Sequence, residues 1–260
     1  QETRGSELRN LNEQWQKLRE RRSSLEARLH SLRELRDNYE GFAQGVRAVM
    51  KARTELGKKT GYDWPQGIIG PAGDILSTEK TYERAIEAAL GGNINNVVVE
   101  NADTAKQAIQ FLKDNNAGRV TFLPLDIIRG GAGDTGDNLK GYPGVIGPAI
   151  DYVKYDPRVS PAVEYLLHST LLVDTLDHAI EIARKQRQYP RLVTLDGDVV
   201  SSSGAVTGGR TRHESRGMLG RSAEISELEQ QIAQTNEDIS DLAHRGEALT
   251  HATQEASARI

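Results

Sequence analysis

The 260-residue sequence predicts an α+β fold, a mixed α/β domain of two repeated subdomains flanked by an antiparallel intramolecular coiled coil. Three observations carry that prediction. Apolar residues recur at heptad spacing at both ends of the chain, glycine and proline concentrate between those ends, and a helix–strand–helix–strand order occurs twice in the middle. Composition agrees: 27% charged residues, 5% aromatics and a mean hydropathy of -0.56 are too polar for one compact domain of this length, so part of the chain is extended.

The first arm is read from Leu8, Leu11, Trp15, Leu18, Leu25, Leu29, Leu32 and Tyr39, with Arg22 and Arg36 on the same seam. The second follows Ile225, Leu228, Ile232, Ile239, Leu242, Leu249, Ala256 and Ile260, interrupted by Thr235, Gly246 and Thr253, and is the weaker of the two. At about 1.5 Å per residue the stretches 8–39 and 225–260 would span roughly 48 and 54 Å, matched lengths on either side of one middle segment. Both strands of a two-stranded rod are thus present in one chain, which favours pairing with each other over a parallel homodimeric coil. His30, His244 and His251 lie on the rods and read as solvated positions. The chain begins and ends inside these patterns, so it reads as a fragment.

All 8 prolines and most of the 25 glycines lie between residues 41 and 220. The first copy of the repeat is a helix through Ala85–Leu90, a strand Asn96–Glu100, a helix from Asp103 through Leu112 and a strand Arg119–Leu123. The second is a helix through Ala162–Leu167, a strand Leu171–Asp174, a helix Asp177–Gln188 and a strand Arg191–Leu195. The expected boundaries are an ascending arm at 1–56, a first subdomain at 57–130, a Gly/Asp-rich linker at 131–144, a second subdomain at 145–215 and a descending arm at 216–260.

Several chemistries find no support. Zero cysteines remove disulfides, thiolate nucleophiles and Cys-based zinc sites. The longest apolar runs, such as Leu171-Leu172-Val173, fall far short of the roughly 18 residues a membrane helix needs. Gly131-Ala132-Gly133-Asp134-Thr135-Gly136 satisfies G-x-G-x-x-G, but no helix with an apolar face follows it to aim an N-terminus at a phosphate. A nucleotide-binding or enzymatic α/β domain using this 131–136 loop is the competing reading. Gly57-Lys58-Lys59-Thr60 lacks the upstream glycine of a Walker A loop. Leu192-Val193-Thr194-Leu195-Asp196, without a P-loop, is a buried strand ending at a turn. His168 and His178, which end and begin predicted helices, have no evident carboxylate or nucleophile partner in the sequence and are read as capping or surface residues. Asp196-Gly197-Asp198 is an ordinary tight turn.

The most unusual stretch is Val199 to Gly209, a strand-like run of small residues. It is either a surface hairpin or a sheet edge pressed on another subunit, and an uncovered edge of this kind is an aggregation hazard. Position favours the second. Arg210, Arg212, His213, Arg216 and Arg221 follow it, and Arg47, Lys51, Arg53, Lys58 and Lys59 lie where the first arm enters. The two clusters are expected to meet and to contact DNA phosphates without sequence preference, within a net charge of -4.

The run Tyr39-Glu40-Gly41-Phe42-Ala43-Gln44-Gly45-Val46-Arg47-Ala48-Val49, then Gly67-Ile68-Ile69-Gly70, Ala88-Ala89-Leu90-Gly91-Gly92, Gly118-Arg119-Val120-Thr121-Phe122-Leu123-Pro124-Leu125, the serine-rich strand and Gly208-Gly209 between heptad arms resembles the hinge of structural maintenance of chromosomes (SMC) proteins, the bacterial form most. The resemblance covers essentially the whole chain. It implies a non-enzymatic module that joins two SMC chains into a V-shaped homodimer through two symmetry-related subdomain contacts, in chromosome condensation and segregation. The ATPase heads, with their ATP and Mg, would lie at the far ends of the arms, and no cofactor is implied for this segment. Kleisin-type subunits are implied for the full-length, condensin-like complex only. The implied location is cytoplasmic and nucleoid-associated, with no membrane. By the same resemblance the dimer interface comprises Ser203, Gly204, Val206, Thr207, Gly208 and Gly209. Gly208 and Gly209 match the family's second glycine pair, and Gly204 matches half of the first, with Ser203 where the other glycine is usual. Family residues that contact DNA correspond to Arg210, Arg212 and Arg216, with Thr211 interposed. Arg221, Arg47, Lys51, Lys58 and Lys59 complete the expected DNA-binding set.

Overall fold

The computed structural model describes residues 2–56, 64–131, 135–209 and 217–258. The chain divides into two units, Gln1–Asp37 with Ala223–Ile260, and Asn38–Ser222.

In the first unit, α1 (Glu2–Asp37) lies against residues 223–258 of the long C-terminal helix. The direction is antiparallel: Arg22 Nη1 donates to Asn236 Oδ1 at 3.4 Å, while Arg28 Nε, further along α1, donates to Glu224 Oε1 at 3.1 Å, twelve residues earlier on the returning helix, and the long side chain of Arg33 reaches Glu229 Oε1 at 2.7 Å in the same stretch. Leu29, Leu32, Ile225 and Leu228 are buried in the seam, with Leu25, Leu35 and Ile232 beside them. Two seam positions differ from expectation. Arg36 is exposed and Leu35 takes its place, a three-residue step that keeps an apolar group facing the partner. Thr235, read as an interruption, is buried, because its hydroxyl donates to the Gln231 carbonyl at 2.7 Å and leaves the methyl for the seam.

The second unit starts with a turn through Tyr39 and Gly41, both at positive φ, that ends α1. Next come α2 (Gln44–Leu56), β1 (Ile68–Pro71), the single-turn α3 (Ala72–Ile75), β2 (Ser77–Thr78), α4 (Glu83–Leu90), β3 (Val97–Val99), α5 (Ala102–Asp114) and β4 (Phe122–Pro124). The second copy runs β5 (Val145–Pro148), β6 (Val153–Lys154), α6 (Ser160–Leu167), β7 (Thr170–Val173), α7 (Leu176–Lys185) and β8 (Arg191–Thr194), with a 3-10 turn at Ala149–Tyr152 in the place of α3. The strands β9 (Val199–Val200) and β10 (Val206–Thr207) and the helix α8 (Met218–Ala258) complete the chain. The stretch 44–56, expected in the first arm, is α2 of this folded unit: its Val46, Val49, Met50 and Ala52 face the first sheet as i, i+3, i+4 neighbours.

The repeat is deeper than its helices and strands. Ile69-Gly70-Pro71-Ala72 recurs as Ile146-Gly147-Pro148-Ala149. In each copy this segment pairs antiparallel with the next long strand across the same irregularity, Gly70 opposite Val98 and Gly147 opposite Leu172. Parallel pairing follows in both, β3 with β4 and β7 with β8. The two-residue strands β2 and β6 pair with each other, Ser77 opposite Lys154 and Thr78 opposite Val153, so the copies are stitched across their own pseudo-two-fold.

One core spans both copies. Ile86, Ala89, Leu90 and Val98 of the first pack with Val163, Leu166, Leu167, Leu172 and Val193 of the second. Alternation along β3 and β7 sends their other residues to separate cores, Val97 and Val99 beneath α2 and α5, Leu171 and Val173 beneath α7. Buried on both faces, these strands read as unbroken apolar runs, and each enclosed valine or leucine contributes about 1.5–3 kcal/mol.

Candidate functional site

The serine-rich run is a hairpin. Val206 lies opposite Val200 and Thr207 opposite Val199, and β10 is the outermost strand of the order β10-β9-β8-β7-β5. The turn is closed by Ser201 N–H to the Ala205 carbonyl at 2.9 Å, by Ala205 N–H to Ser201 Oγ at 3.0 Å and by Gly204 at φ +90°. Antiparallel pairs alternate between bonded and non-bonded, so with Ser201 and Ala205 a bonded pair, Val206 directs its own N–H and C=O away from β9. Residues 202–209 are exposed, and Val206 keeps 53% of its surface. Of the residues expected at an interface, Ser203, Gly204, Val206, Thr207, Gly208 and Gly209 all fall on this hairpin. Gly208 is also constrained from inside: a Cβ there would come within 2.2 Å of Asp198 Oδ1.

A second open edge went unread in the sequence. Among the described residues the first sheet has the order β1-β3-β4 and stops at β4. Val97 N–H donates to the Thr121 carbonyl and Leu125 N–H to the Val99 carbonyl, each at 2.9 Å, so residues 121, 123 and 125 face β3 while Phe122 and Pro124 face outward. Pro124 fits that edge, where a missing N–H costs no ladder bond. In the second copy the equivalent edge of β8 is occupied by β9.

The expected basic residues are only partly within the described structure. Arg47 and Lys51 are exposed one helical turn apart on α2. Arg53 Nη1 donates to the Ile69 carbonyl at 3.1 Å. Arg221, on the first turn of α8, donates from Nη1 to the Glu40 carbonyl at 3.0 Å and so reaches the turn before α2. Arg210, Arg212, His213, Arg216, Lys58 and Lys59 lie outside the described residues, as does 132–134 of the glycine loop.

The start of α8 rests on a carboxylate. Leu219 N–H donates to Glu87 Oε1 at 3.0 Å, and the Met218 backbone also bonds this group. A Cβ on Gly217 would fall 1.9 Å from Glu87 Oε1, so a side chain there would push the carboxylate out of its place against the start of α8. Burial pushes the Glu87 carboxyl above its ordinary range and neighbouring Glu83 adds to that, against the pull of the two backbone donors and Arg221. The other copy places Glu164 at the same helix position, with Gly130 approaching it: a Cβ there would lie 2.5 Å from the Glu164 Cβ.

One reading of the histidines is corrected. His178 does have a carboxylate partner, Asp174 Oδ1 at 2.6 Å from Nδ1, a helical i, i+4 spacing legible in the sequence. This hydrogen bond raises the His178 pKa and lowers that of Asp174. His168 instead borders Gly131.

A family model described as SMC proteins Flexible Hinge Domain matches residues 65–183. The SMC hinge domain of Geobacillus stearothermophilus, solved as an asymmetric dimer, aligns over 97% of this chain and 98% of its own at 35% identity, with a TM-score of 0.82. The chain belongs to the SMC hinge family. Chromosome partition protein Smc of Lactiplantibacillus plantarum is 35% identical over 233 residues, covering 86% of this chain and 19% of that protein. The Bacillus subtilis protein of the same name is 35% identical over 225 residues, 86% of this chain and 18% of its own length. This hinge chain thus spans about a fifth of the curated relatives it matches. Among its described residues no helix is long and apolar enough to cross a membrane.

Proposed function

We propose that this SMC hinge joins two copies of a chromosome-partition protein by strand addition, β10 of each copy docking on β4 of the other in two symmetry-related contacts. The observation that carries the reading is the pair of open edges at non-equivalent places in a duplicated fold. The second copy ends its sheet with an exposed hairpin, and the first leaves bare the edge that β9 covers in the second. Outward backbone groups of Val206 and Phe122 supply the hydrogen bonds of such an addition, and the small side chains of the hairpin permit close approach. The interface residues are Ser203, Gly204, Val206, Thr207, Gly208 and Gly209. Light scattering at micromolar concentration is expected to give twice the 28.6 kDa mass of one chain. A particle that stays at one chain mass refutes the proposal.

The same reading assigns sequence-independent DNA contact to Arg47, Lys51, Lys58, Lys59, Arg210, Arg212, Arg216 and Arg221. It is supported by the exposed pair on α2 and by the tie from Arg221 to the turn beside it. The hinge itself performs no chemistry, and ATP, Mg and kleisin-type subunits belong to the head regions of the full-length nucleoid protein. Affinity for duplex DNA should fall steeply with salt as counterions are released. Charge reversal of Arg210 with Arg212 that leaves affinity and salt slope unchanged contradicts the assignment.

A further inference from the structure

A cleft of about 600 Å³ opens at the end of α6, where β8 starts and the turn of the β9–β10 hairpin comes close. Two guanidiniums line it, Arg129 from the segment after β4 and Arg191 from the first residue of β8. Arg191 is held by one donated bond, Nη1 to the Ala89 carbonyl at 3.0 Å, which fixes the plane of the fork and leaves further N–H groups on the same guanidinium. The His168 ring and the Ser202 hydroxyl complete a wall rich in donors. The acidic member, Glu164, has Oε1 engaged by Ser160 Oγ at 3.1 Å at the start of α6 and Oε2 beside Gly130. Tyr165 lines the same cleft with 53% of its surface exposed, an unusual position for a large ring in a folded unit.

We propose that this cleft binds a phosphate-bearing small molecule of nucleotide size. Two arginines and a histidine against one carboxylate, half of it already engaged by Ser160, favour an anion, and the guanidinium fork suits phosphate oxygens in particular. The exposed tyrosine supplies a flat face on which a base stacks. The volume lies within the range of about 300–1,000 Å³ usual for small-molecule sites and is far too small for a duplex. Gly131 borders the cleft beside His168, so the first glycine of the 131–136 loop contributes to the wall of an anion site without forming a dinucleotide fingerprint. The cleft adjoins the proposed interface, because Ser202 of the hairpin turn lines it next to Ser203.

Calorimetric titration of the full chain with ADP, and separately with inorganic pyrophosphate, tests it. Saturable binding of both is expected, with Arg129→Gln weakening both by about tenfold or more. Tyr165→Ala should weaken ADP while leaving pyrophosphate nearly unchanged, a separation that a merely misfolded variant would not give. Both side chains are exposed, so thermal melts of the variants should match the parent. No saturation by either ligand up to about 1 mM, or binding indifferent to both substitutions, overturns the proposal. So does loss of duplex affinity in Arg129→Gln with no ADP binding by the parent, which would make the cleft part of the DNA-contacting surface.

Discussion

The two copies of the repeat differ most at the outer edge of the strand that follows their second helix. In the first that strand, β4, ends its sheet. In the second the equivalent β8 is followed by the β9–β10 hairpin, which covers β8 and exposes a new edge one strand further out. Elsewhere the copies agree closely. Asn101 caps α5 by accepting from Thr104 N–H at 2.8 Å, and Thr175 does the same for His178 N–H at 3.4 Å. A Cβ at Gly67 would lie 2.4 Å from Thr104 Oγ1, and one at Gly144 would lie 2.3 Å from His178 Nδ1. Where both copies meet the same packing problem, they use the same solution. Where they diverge, each leaves an edge that the other does not, and on the proposed mode of association these two edges act as plug and socket.

The sharpest way to break that comparison is at the edges. Val206→Pro deletes one outward donor of β10 while sparing the bonds to β9, and together with Val206→Glu as a second variant it should shift the light-scattering mass from two chains to one. Retention of the paired mass by both would place the contact elsewhere. A large structural effect is expected at the glycine beside Glu87. Gly217→Val forces the carboxylate away from the start of α8 and forfeits a charge-assisted bond, about 1.5–3 kcal/mol by chemical denaturation. Gly130→Val, beside the less mobile Glu164 Cβ, should cost at least as much.

Smaller effects come from titration. Because the Glu87 pKa is raised on folding, its favourable contribution is complete below the unfolded value near 4.5 and declines as pH rises through the folded value. Glu87→Gln keeps an acceptor for Leu219 without the buried charge, so its melting temperature should equal or exceed the parent's at neutral pH, and that advantage should vanish in acid. A Gln variant less stable than the parent at pH 7 would show that the ionised form is what holds the helix. The smallest change is expected at the exposed pair Asp174 and His178. The raised histidine contributes below about 6.5 and loses its contribution as pH climbs through its folded pKa, while the lowered aspartate contributes above about 3.8. His178→Ala should therefore lower the melting temperature most between those limits and least in mild alkali.

The arms were legible because heptads are a one-dimensional signal: among the described residues nearly every expected seam position is at least half-buried and most of its neighbours are exposed. The paired strands were legible because unbroken runs such as Val97-Val98-Val99 have no other home than a sheet covered on both sides. What escaped was short or contingent. β2 and β6 carry two residues each, too few for any period, and their pairing depends on how two halves meet. α2 continues the charge-rich pattern of α1, and only the turn at Tyr39 and Gly41 separates them. The hairpin was expected as a sheet edge, yet the open edge of β4 was not, since an open edge is defined by a neighbour that is missing.

The stitch between β2 and β6, with the core shared beneath it, has a consequence for chain connectivity. The halves are held by contacts outside the linker, whose Leu139 is itself buried in the core of the second copy, so a break in the chain ahead of Leu139 leaves those contacts intact. A protease cut there should yield two fragments that co-elute under native conditions and part only in denaturant. The same site should accept new termini, with the old ones rejoined, while the barrier to global unfolding stays nearly where it was.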